Sequence, residues 1–328
     1  MPKVSIIVPN YNYSKYLPQR LQSIFEQTFA DFEVILLDDC STDDSRQYLQ
    51  QFASHPKVSH LILGETNTGN PFVQWEKGIA LAQGEYIWIA ESDDYCEKTF
   101  LQNAVRILDE NPRLSFTHCG SILVDQNGKV LEQNYDTWPL GKDDGKIYTY
   151  ASHQYLKDFM FYHDETYNAS MTVFRKSKYH LIDKDFTTMH YCGDWLFWIK
   201  MAEKGDVAIL HKRLNRFRRH CQSVTVKIDR KEKQLAERLI IFTYLWENHI
   251  FSGFQLALSK GYVYKEIIRT NMEASRKKQT LANMRKYGVT KKCYYLERAT
   301  KTLCQILHIK HSLFFLLHIQ IQRHEGST

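Results

Sequence analysis

The sequence predicts an α/β protein: a mostly parallel sheet flanked by helices, followed by a helical C-terminal appendage. Three observations predict it. Short apolar, β-branched runs at 4–9, 32–37, 58–63 and 86–90 alternate with segments of helical spacing, the pattern of strand–helix–strand units in a parallel sheet. The second and fourth runs stop abruptly in carboxylates, Asp38-Asp39 and Glu91-Ser92-Asp93-Asp94, at the strand ends where open α/β sheets hold ligands. Charge also changes sign along the chain. From Val224 on there are 19 Lys and Arg against 8 Asp and Glu, leaving 24 against 29 before it.

Each element has its own signal. The first strand, Val4 to Pro9, is stopped by Pro9-Asn10-Tyr11-Asn12, and a helix over 18–27 follows with Leu21, Ile24 and Phe25 on one face. Phe32 to Leu37 is the second strand; Cys40 to Asp44 is a turn rich in N-cap residues for a helix over 45–53. The third strand, Val58 to Leu63, closes at Gly64 and the loop Asn67-Thr68-Gly69-Asn70-Pro71, ahead of a helix over 72–82. Gly84 opens the fourth strand. Leu101 to Leu108 reads as a helix ended by Asn111-Pro112, and Leu114 to Val124 as a strand turning at Asp125–Lys129. Tyr135 to Tyr150 reads as loop. Asp194 begins an apolar helix through Ala202, and the segments 206–210 and 214–224 follow it. A long helix over 230–248 opens the appendage, with Leu235, Leu239, Phe242, Leu245 and Trp246 on its apolar face.

The carboxylates carry the chemistry. A buried strand that delivers three acids to one loop is costly unless they meet a cation, and a hard divalent metal with a phosphate-bearing ligand resolves that cost. The plain alternative is an acidic turn with solvated side chains.

Five motifs in order tip the balance. Val4-Ser5-Ile6-Ile7-Val8-Pro9-Asn10-Tyr11-Asn12, Asp38-Asp39-Cys40-Ser41-Thr42-Asp43, Asn67-x-Gly69, Gly84-Glu85-Tyr86-Ile87 and Ser92-Asp93-Asp94 together resemble the family 2 glycosyltransferases, GT-A fold enzymes that use nucleotide sugars. The resemblance covers residues 3 to 224 and implies roles. Pro9 and Tyr11 hold the nucleotide base, Asp39 reads uracil, Asp93 is the ribose or metal-side acid, and Asp94 is the direct ligand of Mn²⁺ or Mg²⁺. His190-Tyr191-Cys192-Gly193-Asp194 places Asp194 in the slot of the general base, with a simple helix N-cap as its plain alternative. Leu214 to Val224 resembles the closing Tyr/Phe-Arg-x-His-x-x-Ser segment, which makes His220 a phosphate or metal contact and leaves Arg218 and Arg219 as surface charges. The sequence departs from the family at two places: Glu91 stands where Asp is frequent, and Trp75-Glu76 replace an Arg-Asn pair. Lys77 then becomes the candidate for the diphosphate, a solvated helical lysine being the alternative.

The expectation is therefore a domain at 1–224 and a basic, mostly helical region at 225–328. The first is an inverting, metal-dependent transferase that moves a sugar from a UDP-sugar to a hydroxyl of a growing, lipid-linked bacterial surface glycan. Competing readings are a catalytically silent nucleotide-sugar-binding scaffold and a membrane-surface adaptor. With 43% hydrophobic residues a core is assured, and seven cysteines without a CxxC pair argue against a disulfide framework or structural zinc. The absence of a signal layout or a long apolar window points to the cytoplasm; Thr302 to Gln322 reads equally as a peripheral contact on the membrane's inner face or as a helical appendage packed on the body or on a partner subunit. The basic charge comes without any nucleic-acid-binding pattern, so nucleic acid is not an expected partner.

Overall fold

The computed structural model describes residues 1–131, 144–162, 164–220 and 231–306, with the side chains of the last helix described through Leu303. The chain forms two compact units, Met1–Tyr155 with Glu165–Val226, and Leu156–Asp164 with Lys227–Thr328.

The first unit carries a nine-stranded sheet. Its strands are β1 (Val4–Asn10), β2 (Phe32–Asp38), β3 (Val58–Leu63), β4 (Tyr86–Ile89), β5 (Tyr95–Cys96), β6 (Leu114–Val124), β7 (Ile147–Tyr150), β8 (Thr172–Arg175) and β9 (Asp206–Arg218). The helices, in chain order, are α1 (Leu17–Phe25), α2 (Ser45–Gln50), α3 (Pro71–Leu81), α4 (Phe100–Glu110), α5 (Ser152–Phe159), α6 (Lys176–Tyr179) and α7 (Gly193–Glu203). Strand order is β3-β2-β1-β4-β8-β6-β9-β5, with β7 beside β9. The first four of these are parallel; β8 lies antiparallel between β4 and β6, and β6 and β9 run parallel.

Every residue of β1 and β2 is buried, as central parallel strands covered on both faces require. Gly84 is dictated by packing: a Cβ there would sit 2.5 Å from Ser5 N, and its own N–H donates to Ser5 Oγ at 2.8 Å. Helix α3 starts on Asn70, whose side chain accepts from Phe72 N at 2.9 Å, with Pro71 at the first helical position. Helix α4 shows the opposite economy, burying Phe100, Leu101, Ala104, Val105, Ile107 and Leu108 along one stripe. Helix α7 is apolar nearly all round, and Trp195 through Ala202 are buried.

One expectation changes. Residues 147–150 form a strand paired with β9, where the sequence reads as loop; residues 135–143 of that expected loop lie outside the described residues. The segments at 206–210 and 214–218 are one strand, β9, which keeps its partner β6 through register shifts around Gly120. Residues 221–224 of the expected closing segment lie outside the described residues.

The second unit is helical: α8 (Lys231–Glu247), α9 (Gly253–Arg269), α10 (Ala274–Met284) and α11 (Lys291–Ile306). Leu235, Phe242, Leu245 and Trp246 of the expected apolar face of α8 are buried, and Leu239 is half-buried. Of the expected interfacial stretch Thr302 to Gln322, residues 307–322 lie outside the described residues.

Candidate active site

The C-terminal ends of β1 and β2 are zipped together by short polar side chains. Asn10 and Asp38 are register partners; Asn10 Nδ2 donates to Asp38 Oδ2 at 2.9 Å, and Ser41 N donates to Asp38 Oδ1 at 2.9 Å. Asp38 is thereby consumed in holding the loops. Asn12 and Cys40 take left-handed backbone angles (φ 57 and 62), and Asn12 Oδ1 accepts from Thr42 N at 2.8 Å. Asp39, next along, is buried and held from outside its own loop. Thr68 donates to it from both backbone and hydroxyl (3.0 and 2.8 Å), and Gln74 Nε2 donates to Oδ1 at 2.6 Å. Charge-assisted bonds of this kind fix a carboxylate in one orientation. Pro9 accepts Ser92 Oγ on its carbonyl at 2.7 Å, coupling the first loop to the acidic one, while Tyr11 is 43% exposed beside it.

The acidic loop after β4 is built in three different ways. Glu91 accepts from Trp75 Nε1 at 2.9 Å; burial, then the charge of Asp93, pushes it up to about 8. Asp94 is buried and turned inward, accepting Asn168 Nδ2 at 2.7 Å and Arg218 N at 2.9 Å; burial and Asp93 push it up to about 6. Asp93 keeps some exposure and meets His220 Nε2 at 3.0 Å. Tyr13 and Tyr16 enclose the imidazole, with ring centroids 5.3 and 5.2 Å away. The Tyr13 hydroxyl is pushed well above its ordinary value by burial and by the charges of Asp93, Glu91 and Asp94. Beneath the loop, Arg20 is wholly buried; its Nε donates to the Glu91 carbonyl at 2.8 Å and a terminal nitrogen donates to Ser170 Oγ at 2.8 Å.

Arg218 corrects the expectation of a surface charge. It is 2% exposed, donates from Nε to the Asp93 carbonyl at 2.7 Å and from a terminal nitrogen to Gln19 Oε1 at 2.6 Å, and lies over the Tyr16 ring at 4.7 Å. Arg218 closes β9 and His220 lies two residues beyond it, and both reach Asp93 of the acidic loop.

Asp194 stands in the first turn of α7, where a carboxylate is favoured by the helix dipole, and its Oδ1 accepts from Trp195 N at 2.9 Å. The segment ahead of it is tied to the Asn67-x-Gly69 loop, because Asn70 Nδ2 donates to the carbonyls of Thr187 and Met189 at 2.8 and 2.9 Å. A Cβ on Gly193 would lie 2.5 Å from the Phe72 ring.

One helix, α3, therefore touches every part: Gln74 reaches Asp39, Trp75 reaches Glu91, and Phe72 packs on Gly193 beside Asp194. Lys77 of the same helix lies on its exposed face with Val73 and Ala80, and the structure does not bring it to the acids. Sequence reading missed Thr68, Gln74, Arg20, Tyr13 and Asn168 as site builders. Only Thr68 had a signal, lying inside the loop Asn67-Thr68-Gly69-Asn70-Pro71.

Among the described residues, no three His, Cys, Asp or Glu side chains converge as a preformed metal cage. The donor set nonetheless fits a cation shared with a ligand. Mg²⁺-type sites take one or two protein donors and complete the shell with phosphates and water. Asp93 and His220 supply that pair, and His220 Nδ1 is buried without a hydrogen-bond partner among the described residues.

Comparison with known proteins agrees with this geometry. The family model described as Glycosyl transferase family 2 matches residues 5–181, more than half of the chain. The poly(ribitol-phosphate) beta-N-acetylglucosaminyltransferase TarS of Staphylococcus aureus is 36% identical over 132 residues, 39% of this chain and 22% of that protein. A putative teichuronic acid biosynthesis glycosyltransferase of Bacillus subtilis, TuaG, is 33% identical over 132 residues, 40% of this chain and 52% of its own length. These matches thus span about half or less of the relatives. The crystal structure of TarS 1–349 in complex with UDP-GlcNAc superposes with a TM-score of 0.53 at 22% identity, covering 86% of this chain and 71% of that one, which establishes a shared GT-A fold.

Proposed function

The chain belongs to glycosyl transferase family 2, and on that premise we propose that it is an inverting, metal-dependent glycosyltransferase using a UDP-sugar donor. In this reading its acceptor is a hydroxyl of a growing, lipid-linked bacterial cell-surface glycan; of the relatives, TarS is named for poly(ribitol-phosphate) and TuaG for teichuronic acid biosynthesis. The observation that carries the reading is α3, which links a fixed base-side carboxylate, an acidic cluster and the Asp194 turn at one edge of the sheet.

In this reading Asp39, oriented by Thr68 and Gln74, accepts a hydrogen bond from the base, with Pro9 and Tyr11 bordering it. Asp93 and His220 hold the metal-side end of the donor. Asp94 acts beneath them, because Asn168 and Arg218 N occupy both of its oxygens and fix the loop that presents Asp93. Asp93 and His220 would hold a Mn²⁺ or Mg²⁺ ion, which would supply charge to offset the departing diphosphate. Asp194 takes the proton of the acceptor hydroxyl as it attacks the anomeric carbon.

Calorimetric titration of UDP, GDP and dTDP, with and without Mn²⁺, tests the site. UDP should bind only with metal, and Asp93→Ala should remove binding while Asp194→Asn leaves it intact and abolishes transfer. Failure of all three nucleotides to bind would refute the enzyme assignment. Binding without donor turnover in the presence of acceptor glycan would favour the silent scaffold.

A further inference from the structure

Helix α11 of the second unit has one face fixed and one face open. Its inner face is set by Glu297, 1% exposed, whose Oε1 is 3.2 Å from Lys265 Nζ of α9 and 3.3 Å from Lys301 Nζ. At Gly261 of α9 the two backbones close in, so that a Cβ would stand 2.2 Å from the Cys293 carbonyl. At about 100° per residue, the direction opposite Glu297 is occupied by Tyr295, Ala299 and Leu303, with Leu296 and Lys292 alongside. Those apolar side chains are open: Tyr295 is 62% exposed, Leu303 52% and Leu296 38%. Lys291 and Arg298, also exposed, line one margin of the stripe.

The surrounding charge is one-sided. Residues 270–303 hold nine Lys and Arg against two Asp and Glu, and one of those acids is the buried Glu297. After Glu297 the sequence has no further acid until Glu325, while Leu, Ile and Phe recur through 307–321. An apolar stripe with an aromatic residue and a cationic margin matches the boundary between anionic headgroups and acyl chains. A second copy of the same face is a poor complement, because Lys291, Lys292 and Arg298 would oppose their own kind.

We infer that the outward face of α11 docks on a bilayer surface carrying anionic phospholipid. This deepens the lipid-linked acceptor of the proposed function, and vesicle binding is read without nucleotide or turnover, so either reading can fail alone. The test is cosedimentation of the full chain with vesicles of phosphatidylcholine alone and of an equal mixture with phosphatidylglycerol. The wild type should pellet with the mixture and stay in solution with the neutral vesicles. Lys291→Glu/Lys292→Glu/Arg298→Glu should weaken vesicle affinity on the order of a hundredfold, at roughly 1 kcal/mol per surface cation, and Tyr295→Ser/Leu303→Ser should weaken it about tenfold. All of these positions are exposed, and far-ultraviolet circular dichroism checks that each variant is folded. Wild type bound to neither vesicle overturns the inference. So does loss in the charge variant alone, which would mark a site for a soluble polyanion. Unchanged binding in both variants, or a dimer that dissociates in the Tyr295→Ser/Leu303→Ser variant, would also reject it.

Discussion

Asp39 shows how the chain fixes the orientation of a single buried carboxylate. Alone it is a buried acid at a strand end; with Thr68 N, Thr68 Oγ1 and Gln74 Nε2 donating to it, its plane is set before any ligand arrives. Preorganisation of this kind lowers the ordering cost of binding. Gln74→Leu should weaken UDP binding about tenfold, the loss of one charge-assisted bond worth about 1.5–3 kcal/mol when its partner stays in place. Glu at the same position should not restore it, since it places a second negative charge against Asp39. Calorimetry reads both variants, and an unchanged affinity in Gln74→Leu would show that Thr68 suffices. Asp94 teaches the complementary lesson: an acid in a motif can be spent on the frame. Its two oxygens are bonded by residues 74 and 124 positions away, whereas the partly exposed Asp93 meets His220 instead.

At the scale of elements, α3 does more than cover the sheet. Its i, i+2 and i+3 residues Phe72, Gln74 and Trp75 diverge around the helix to three different loops, while Trp75 also meets the rings of Phe197 and Trp198 on α7. The α3–α7 contact has no spare volume at Gly193, where an added methyl would lie 2.5 Å from Phe72 and 2.7 Å from the Phe186 carbonyl. Overpacking against a backbone carbonyl costs about 1–3 kcal/mol. Gly193→Ala should therefore lower the urea midpoint by that equivalent and reduce transfer, because the first turn of α7 carries Asp194. A variant as stable and active as wild type would mean that Phe72 swings clear.

At the scale of the whole molecule, the two units do not follow one cut in the sequence. Leu156–Asp164 belongs with the C-terminal helices, and Phe161, 3% exposed, meets Phe251 edge-on at 4.9 Å. Removing residues 225–328 should leave this segment without its packing partners. The truncated chain should bind a hydrophobic dye and melt below the intact protein in a thermal scan. A truncation with the intact melting point would show that 156–164 finds other cover.

The sequence by itself determined the parallel βαβ half of the sheet, the α3 helix and the carboxylates at the strand ends, because these rest on local periodicity and on residues whose backbone and charge preferences act within a few positions. The tertiary structure alone decided the rest: β8 inserted antiparallel between β4 and β6, residues 147–150 recruited as a strand, Lys77 turned to solvent, and Arg218 drawn in to brace the acidic loop. Those outcomes depend on partners that meet across roughly a hundred residues of chain, and no local repeat encodes which of them a buried charge will find.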